Sequence, residues 1–399
     1  MDESNQVWGR LFLFNCGNEA ALIHQDRAGY TPRSVVRQMR RDLAYLSAWL
    51  SDSPETDFVY LPLDAPEGEV SCPFLLPRPL RLSSKIESLP SLHLDLWGPE
   101  PTLRPLFEQL RTAYSEVYVS PYWTQSFPLF LFDRSLSHDF LQWINFNPDQ
   151  IPRLCRSVEE LDTVCRGGLQ GEWLSKLPFS SSGRGILPYE FPLSPHQREA
   201  LKHQLYRNGM ISLEPRLDKV ADWASEFMIE ADGSVRFVGL SHFETEGFRY
   251  LYNRVCQPSL LWTKLAEEVG TDYLQEVIDR QLQFLCNRIA PYYRGAVGVD
   301  MITYREGENI RLHPAIEINV RTTMGFLAHQ LYARVGAPNL FYHFEIKSFS
   351  HKGDAKQWIH GLEKANPSCW NKDNQLISGT LVLHPVDDQS LFVAVLSCQ

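Results

Sequence analysis

Short apolar runs alternate with amphipathic stretches through the first third of the chain. The runs at residues 10–15, 58–61, 93–97 and 117–119 predict strands, and the stretches at 32–50 and 103–114 have the spacing of helices. Strands that alternate with helices favour a parallel sheet covered by helices. The pattern therefore predicts a small parallel α/β domain over residues 1–125.

Beyond residue 125 the pattern changes to the α+β type. Residues 227–230 and 235–238 flank the turn-forming segment Ala231-Asp232-Gly233-Ser234, which predicts a β-hairpin. A second hairpin is predicted from residues 298–304 and 310–320, with its turn near Gly307. Helices are predicted at 157–167, 195–208, 260–285 and 322–335. The expected fold class is thus α/β followed by α+β, with the main boundary near residue 125.

Composition and charge narrow the classes of function. The formal net charge is −10, which argues against a general nucleic-acid or anionic-membrane binder. No apolar run approaches the roughly 20 residues that a membrane-spanning helix needs, and no segment has the pattern of a signal peptide. The eight cysteines form no CxxC pair, so we expect reduced thiols, a cytoplasmic protein and no structural zinc.

The segment Glu317-Ile318-Asn319-Val320-Arg321 carries the most informative polar pattern. Side chains on a strand alternate between faces, so the glutamate, asparagine and arginine share one face. Carboxylate and amide oxygens suit Mg²⁺, and a guanidinium can neutralise a phosphoryl group or hold a carboxylate. This row predicts a magnesium and phosphate site, and the solvated face of an ordinary hairpin is the alternative.

Asp300 lies on the preceding strand of the same predicted hairpin. A return loop of about six residues would bring it near Glu317, whereas a shorter loop would offset the two carboxylates. The periodicity alone leaves that register open.

Lys176 ends a predicted strand and precedes the small-residue segment Ser180-Ser181-Ser182-Gly183-Arg184-Gly185. Loops of this kind expose backbone N–H groups that bind phosphate, and a lysine adds positive charge. The segment is not a P-loop, because its lysine precedes the glycines. A flexible surface loop is the alternative interpretation.

In this order, the strand lysine, the small-residue loop, the distant aspartate and the Glu-x-Asn-x-Arg strand resemble the ATP-grasp superfamily over about residues 130–345. The resemblance implies an ATP-grasp fold, in which two α+β subdomains (residues 126–214 and 215–399) clamp ATP. A small Rossmann-like, pre-ATP-grasp α/β domain at residues 1–125 would precede them. Residues 346–399 match no part of the family pattern.

The resemblance further implies ATP as the nucleotide and Mg²⁺, or alternatively Mn²⁺, as the metal. The implied nucleotide-binding residues are Lys176, Ser180, Ser181, Ser182, Gly183, Arg184, Gly185, Leu213, Glu214 and Glu226, and the implied metal ligands are Asp300, Glu317 and Asn319. For Glu226, which resembles the ribose-binding acid of the family, an exposed carboxylate at the end of a helix or strand is the alternative. The loop has fewer glycines than many relatives, and Pro215 is a second departure that bears on the nucleotide pose.

Two arginines would act on the reacting groups. Arg249 lies where family members place a basic residue near the γ-phosphate, with Arg254 and His242 as competitors. Arg321 would stabilise an acyl phosphate or bind the carboxylate of the acceptor.

The implied reaction is the activation of a small-molecule carboxylate by ATP, followed by attack of an amine or amino acid. An ATP-dependent phosphotransferase and a nucleotide-binding protein without turnover remain as alternatives. By analogy with relatives, the protein would be a homodimer, and neither a nucleic acid nor a membrane is expected as a partner.

Overall fold

The computed structural model describes residues 8–24, 30–85, 89–179 and 185–399. Its strands are β1 (Trp8–Leu13), β2 (Phe58–Tyr60), β3 (Arg78–Leu80), β4 (Ser91–Leu96), β5 (Val117–Tyr118), β6 (Arg153–Cys155), β7 (Gly171–Lys176), β8 (Leu187–Phe191), β9 (Ile211–Pro215), β10 (Asp218–Ile229), β11 (Val235–Glu246), β12 (Arg249–Val255), β13 (Gly295–Glu306), β14 (Asn309–Asn319), β15 (Tyr342–Ser348), β16 (Cys369–Trp370), β17 (Leu376–Ser378), β18 (Thr380–Val382) and β19 (Phe392–Cys398).

The α-helices are α1 (Asn18–Leu22), α2 (Ser34–Asp42), α3 (Arg104–Ala113), α4 (Pro121–Thr124), α5 (Ser135–Trp143), α6 (Val158–Arg166), α7 (Pro195–Asn208), α8 (Pro258–Val269), α9 (Thr271–Arg288), α10 (Met324–Val335) and α11 (Asp354–Ala365). Short 3-10 helices lie at Ala44–Leu50, Pro101–Leu103 and Leu129–Leu131. No helix in the described ranges is long and apolar enough to cross a lipid bilayer.

The chain divides into two compact units. The first unit comprises Met1–Phe127, Tyr252–Leu260 and Met324–Gln399, and the second comprises Pro128–Leu251 and Leu261–Thr323. The division after Phe127 lies beside the boundary expected near residue 125. Residues 324–399 group with the N-terminal segment, however, and not with residues 215–323 as the sequence-based division has them.

The first unit contains the predicted parallel sheet, in the order β3-β2-β1-β4-β5. Strands β12, β15, β19 and β18 of this unit pair antiparallel in that order, with Tyr252 to Val255 of β12 paired to β15. One apolar cluster contains residues of both the N-terminal and the C-terminal segment, among them Phe14, Trp49, Leu327, Tyr342 and Leu396. Residues 346–399 thus complete the core of the first unit, which explains why they match no part of the clamp pattern.

The predicted helix over residues 32–50 is interrupted in the structure. Helix α2 ends at Asp42, and a tighter 3-10 helix follows. That segment is buried on two sides, because Leu46 and Trp49 pack into the large cluster while Ala44 and Ala48 pack against Phe12. Tertiary packing on both sides therefore overrides the single apolar stripe that the spacing suggests.

The second unit contains two antiparallel arrangements of strands. The smaller sheet, of short strands, has the order β6-β9-β7-β8, and the larger sheet, of longer strands, has the order β14-β13-β10-β11. Local sequence explains several of its elements. Helix α7 begins with Ser194 and Gln197 in a capping box and ends at Gly209, whose φ is +72°. The β10–β11 turn contains Asp232, whose carboxylate accepts hydrogen bonds from Ser234.

Candidate active site

Three rows of side chains cross strands β10, β13 and β14 on one face of the larger sheet in the second unit. Directly paired residues share a face, and so do residues two apart on one strand. The rows are Asp222–Ile302–His313, Ala224–Asp300–Glu317 and Glu226–Gly298–Asn319. This face collects the Asp300, Glu317 and Asn319 group predicted from the sequence.

The register that pairs Asp300 with Glu317 depends on an irregularity in the hairpin. The β13–β14 loop has only two residues, because Glu306 pairs with Asn309. An unbroken register from that pair would place Asp300 opposite Ala315. The pairing shifts between Asp300 and Ile302, in a stretch where Pro314 has no N–H to donate to the ladder. The loop is thus the shorter of the two lengths considered, and the bulge cancels the offset that a short loop would cause.

The polar side chains of this face contact one another. Asn319 Nδ2 donates to Asp300 Oδ2 at 3.1 Å, and Arg321 Nη2 donates to Asn319 Oδ1 at 3.2 Å. Burial raises the pKa of Asp300 to about 8, and the negative charges of Glu317 and Glu226 add to the effect, while Arg321 and Asn319 oppose it. The face therefore concentrates more negative charge than its own donors neutralise.

Glu226 is part of this group and lies in the middle of β10. Only 1% of the residue is exposed, so the exposed strand-end alternative is wrong. Thr323 Oγ1 donates to Glu226 Oε2 at 2.7 Å, and Ser241 Oγ donates to Oε1 at 3.1 Å. Burial raises the pKa of Glu226 to about 7 against these two hydrogen bonds and the charge of Arg321.

Gly298 allows this packing. It lies between Glu226 and Asn319 in the third row. A Cβ atom at Gly298 would lie 2.6 Å from Thr323 Cγ2 and 3.0 Å from Glu226 Oε2. A glycine is therefore required for the threonine to reach the buried carboxylate.

Lys176 and Glu214 form a buried ion pair in the smaller sheet. Lys176 ends β7, Glu214 lies on β9, and their side chains are 5% and 9% exposed. Ser212 Oγ donates to Glu214 Oε1 at 3.0 Å. Burial acts to raise the pKa of Glu214, but the charges of Lys176 and Arg134 and the hydrogen bonds outweigh it, so this pKa lies below its usual value.

Arg134, which the sequence analysis missed, binds residues of both sheets of the second unit. Its Nη1 lies 3.3 Å from Glu317 Oε2, and its Nε donates to the carbonyl of Leu177, directly after β7, at 2.9 Å. Only 4% of its side chain is exposed. Because the arginine lies at the start of a short helix and outside any motif, no sequence signal could have indicated its role.

Leu213 and Gly185 are the other described residues of the predicted nucleotide set. Leu213 is fully buried in the core of the smaller sheet, so only its backbone can meet a ligand. Gly185 has φ +77°, and a Cβ there would meet Leu177. The predicted phosphate-loop residues Ser180, Ser181, Ser182, Gly183 and Arg184 lie outside the described residues.

The structure does not bring Arg249 into the group around Asp300. Its side chain is 70% exposed at the β11–β12 turn and pairs with Glu246 at 2.6 Å. Its competitor His242 packs on Trp223, with ring centroids 4.4 Å apart. Since Trp223 pairs with His242 and with Met301, strand alternation puts His242 on the face opposite to Asp300.

A lysine also lies near the Asp222–Ile302–His313 row of this face. Lys219 Nζ donates to Asp222 Oδ2 at 2.5 Å and to Thr245 Oγ1 at 2.6 Å. The side chain of Lys219 is 35% exposed. Sequence analysis missed this lysine because single lysines at strand ends are common on solvated surfaces.

The side chains on the face that carries Asp300 determine which metal could bind there. Within the described ranges, no three His, Cys, Asp or Glu side chains form a group that could hold a metal by themselves. The predicted ligands are instead the carboxylates of Asp300 and Glu317 and the amide of Asn319. That set fits Mg²⁺ bound together with nucleotide phosphates, because Mg²⁺ uses few protein ligands there.

Comparison with known proteins gives a clear result for the fold only. No protein-family model matches the chain, and no curated protein matches it in sequence. A crystal structure of N5-carboxyaminoimidazole ribonucleotide synthetase in complex with ADP is 10% identical, with a TM-score of 0.51 over 99% of this chain and 92% of that chain.

Two further solved structures have lower scores. N5-carboxyaminoimidazole synthetase from Staphylococcus aureus is 9% identical, with a TM-score of 0.49 over 98% of this chain and 93% of its own. The ribonucleotide synthetase from Thermus thermophilus is 13% identical, with a TM-score of 0.46 over 90% and 92%. At such identities the likeness with the ADP complex establishes the architecture alone. The chain has an ATP-grasp fold with a parallel α/β sheet at its N-terminus, as the sequence pattern predicts.

Proposed function

We propose that this chain is an ATP- and Mg²⁺-dependent ligase that activates a substrate carboxylate as an acyl phosphate for attack by an amine or amino acid. The observation that carries the proposal is the sheet face on which Asp300 pairs with Glu317 beside Asn319 and Arg321. The fold similarity to an ADP-bound synthetase supports it.

The metal role follows from the charge imbalance. Two carboxylates and an amide share one sheet face, and the raised pKa of Asp300 shows that ionising it there is unfavourable. A divalent cation would offset that cost, and Mg²⁺ when bound neutralises phosphoryl charge in phosphoryl transfer. Asp300, Glu317 and Asn319 would hold it, with Glu226 adjacent.

The nucleotide role is assigned to the smaller sheet and its loop. Lys176 would bind the α- and β-phosphates, with Ser180, Ser181, Ser182, Gly183, Arg184 and Gly185 following as the phosphate loop. The backbone of Leu213 and the side chain of Glu214 would bind the nucleoside. The Lys176–Glu214 ion pair supports this assignment, because it fixes both side chains in one buried place.

The proposed reaction has two steps, phosphorylation of the substrate carboxylate and attack by the amine. A carboxylate oxygen of the substrate attacks the γ-phosphorus, the bond to the β,γ-bridging oxygen breaks, and ADP leaves with that electron pair. The amine nitrogen then attacks the acyl carbon, loses a proton and expels inorganic phosphate. Arg321, which is hydrogen-bonded to Asn319, would stabilise the phosphoryl charge by position and electrostatics.

Arg249 keeps only a conditional role in this proposal. Its exposed ion pair with Glu246 would have to open before its guanidinium could meet a γ-phosphate. Lys219, which lies beside Asp222 on the face that carries Asp300, is the alternative source of positive charge.

The proposal is tested by an ADP-release screen with Mg²⁺ against amino acids, dipeptides and small carboxylic acids, with hydroxylamine as a trap. A hydroxamate formed with ADP supports acyl-phosphate chemistry. ADP released with a phosphorylated acceptor and no hydroxamate would replace the ligase by a phosphotransferase. A folded protein that does not bind Mg²⁺–ATP would overturn the proposal.

A further inference from the structure

His313 is a buried side chain on the proposed catalytic face that none of the steps above uses. It lies on β14 opposite Ile302, in the row next to Asp300 and Glu317, and is only 4% exposed. Adjacent rows on one face are about 7 Å apart along a strand. His313 is thus close to the proposed metal ligands without being one of them.

One nitrogen of this imidazole lacks a hydrogen-bond partner. Nδ1 is buried and has no partner among the described residues, while the ring makes a hydrogen bond with the backbone of Gln150. Buried polar atoms in native proteins are nearly always paired with protein, water or ligand. The unpaired nitrogen, on the row next to Asp300 and Glu317, therefore needs a partner that the described residues do not supply.

The imidazole is neutral at physiological pH. Burial lowers the pKa of His313 to about 4, and the charge of Lys176 lowers it further, while Glu214 and the Gln150 backbone oppose the shift. A neutral ring whose one N–H donates to a backbone carbonyl presents a lone pair at its other nitrogen. Nδ1 is therefore an acceptor, and its ligand must be a donor.

This requirement separates the two ends of a nucleotide. Phosphate oxygens and substrate carboxylates are acceptors near neutral pH, so they would repel the lone pair. The amino group of a base and the hydroxyls of a ribose are donors. The neighbours of His313 also suit a nucleoside: Ile302 is its apolar cross-strand partner, and Phe146 meets the ring edge to face with centroids 5.0 Å apart.

We infer that Nδ1 of His313 accepts a hydrogen bond from an N–H or O–H group of the nucleoside and thereby contributes to nucleotide selection. The inference rests on the proposed function, because it assumes that a nucleotide binds in the second unit. It adds a residue that the motif pattern does not include, and it places the nucleoside at His313 and the phosphates at the Asp300 row.

The experiment measures dissociation constants by calorimetry for wild type, His313→Phe and His313→Asn with Mg²⁺. The nucleotides are ATP, purine riboside triphosphate, which lacks the base amino group, and the 2′-deoxy and 3′-deoxy forms of ATP. His313→Phe keeps the ring shape without the acceptor, and His313→Asn keeps an acceptor near Nδ1. His360→Phe, on the exposed surface of α11, is the matched control and should bind like wild type.

We expect His313→Phe to weaken ATP binding about 10-fold, the usual scale of one buried hydrogen bond, and His313→Asn to recover part of the loss. Wild type should lose a similar factor with the one analogue that lacks the donor, and His313→Phe should add no further loss with that analogue. The analogue that behaves in this way distinguishes the base amino group from a ribose hydroxyl.

Equal ATP affinity in wild type and His313→Phe would overturn the inference, and so would an equal loss with every nucleotide. If His313→Phe does not fold, His313→Asn and the wild-type analogue series decide the question. The proposed function fails separately, when folded wild type binds no nucleotide at all.

Discussion

Two buried groups of carboxylates, one in each unit, differ in how their charge is neutralised. In the first unit, both oxygens of Glu100 accept hydrogen bonds from Arg40, at 3.0 and 2.7 Å, and Asn15 Nδ2 donates to the same carboxylate at 2.9 Å. In the second unit, Asp300 lies opposite Glu317 with Glu226 near, and its pKa is raised.

Under the proposed function, the first group serves the fold and the second serves a bound cation. A buried carboxylate with a bidentate arginine and an amide is neutralised within the chain. Carboxylates grouped on one face raise the energy of their own ionised forms, and a protein retains such a group where a cation is to be bound. Variants in the two regions should therefore lose different properties, stability in the first unit and Mg²⁺-dependent turnover in the second.

The largest effect is expected from breaking the balanced pair of the first unit. Glu100→Gln leaves Arg40 buried without a counter-charge, which should lower the free energy of unfolding by about 3–5 kcal/mol. Thermal and chemical denaturation measure the change. The double variant Arg40→Met with Glu100→Leu should recover most of it; a single variant as stable as wild type would show that the pair contributes nothing.

Removing one proposed metal-binding side chain from the group formed by Asp300, Glu317 and Asn319 should instead affect turnover. Glu317→Ala or Asn319→Ala should lower Mg²⁺-dependent ATP turnover by about 10²–10³-fold, because one contact to the reacting charge is lost. Asn319→Ala should keep the circular dichroism and stability of wild type, whereas Glu317→Ala should stay folded but lose stability, because the buried Arg134 loses its ion pair with Glu317. Glu306→Ala, at the exposed far end of the same hairpin, is the control. Full turnover by folded Glu317→Ala would refute the metal assignment.

The packing around Glu226 gives an intermediate effect. Gly298→Ala places a methyl group 2.6 Å from Thr323 Cγ2 and should destabilise the protein by about 1–3 kcal/mol. Gly361→Ala, where a Cβ meets nothing within 4 Å in α11, should be neutral or stabilising by about 0.5–1 kcal/mol. Equal melting temperatures for both variants would contradict the close contact.

A gain of stability is expected from removing one charge of the crowded carboxylate group. With a pKa of about 8 in the folded state and about 4 when unfolded, Asp300 binds more protons folded than unfolded between these values. Its contribution to stability therefore falls as pH rises from about 4 to 8.

Asp300→Asn removes this term, so it should raise stability at pH 8 without metal more than it does at pH 4, where the term is absent. Denaturation at both pH values measures the difference, with the exposed Asp373→Asn as control. A loss of stability at pH 8 would mean that the Asp300 carboxylate is not crowded.

Local sequence information was enough to predict the elements whose ends are set by residues close together in the chain. Helix α7 matches its predicted limits because Ser194, Gln197 and Gly209 cap it through contacts a few residues apart. The β10–β11 hairpin was found through its Asp-Gly turn, and the Glu317-Asn319-Arg321 face through strand alternation.

The sequence by itself therefore determined the order of the elements and the polar face of β14, because those depend on neighbours along the chain, and the resemblance of its motifs to a known superfamily predicted the fold. Only the tertiary structure decided that a bulge near Pro314 pairs Asp300 with Glu317, that Arg134 reaches that glutamate, and that residues 346–399 complete the first core. Each of these depends on contacts between residues far apart in sequence, and such contacts leave no periodic pattern in a single chain. The unpaired nitrogen of His313 also depends on such contacts, because only the packing around β14 buries it without a partner.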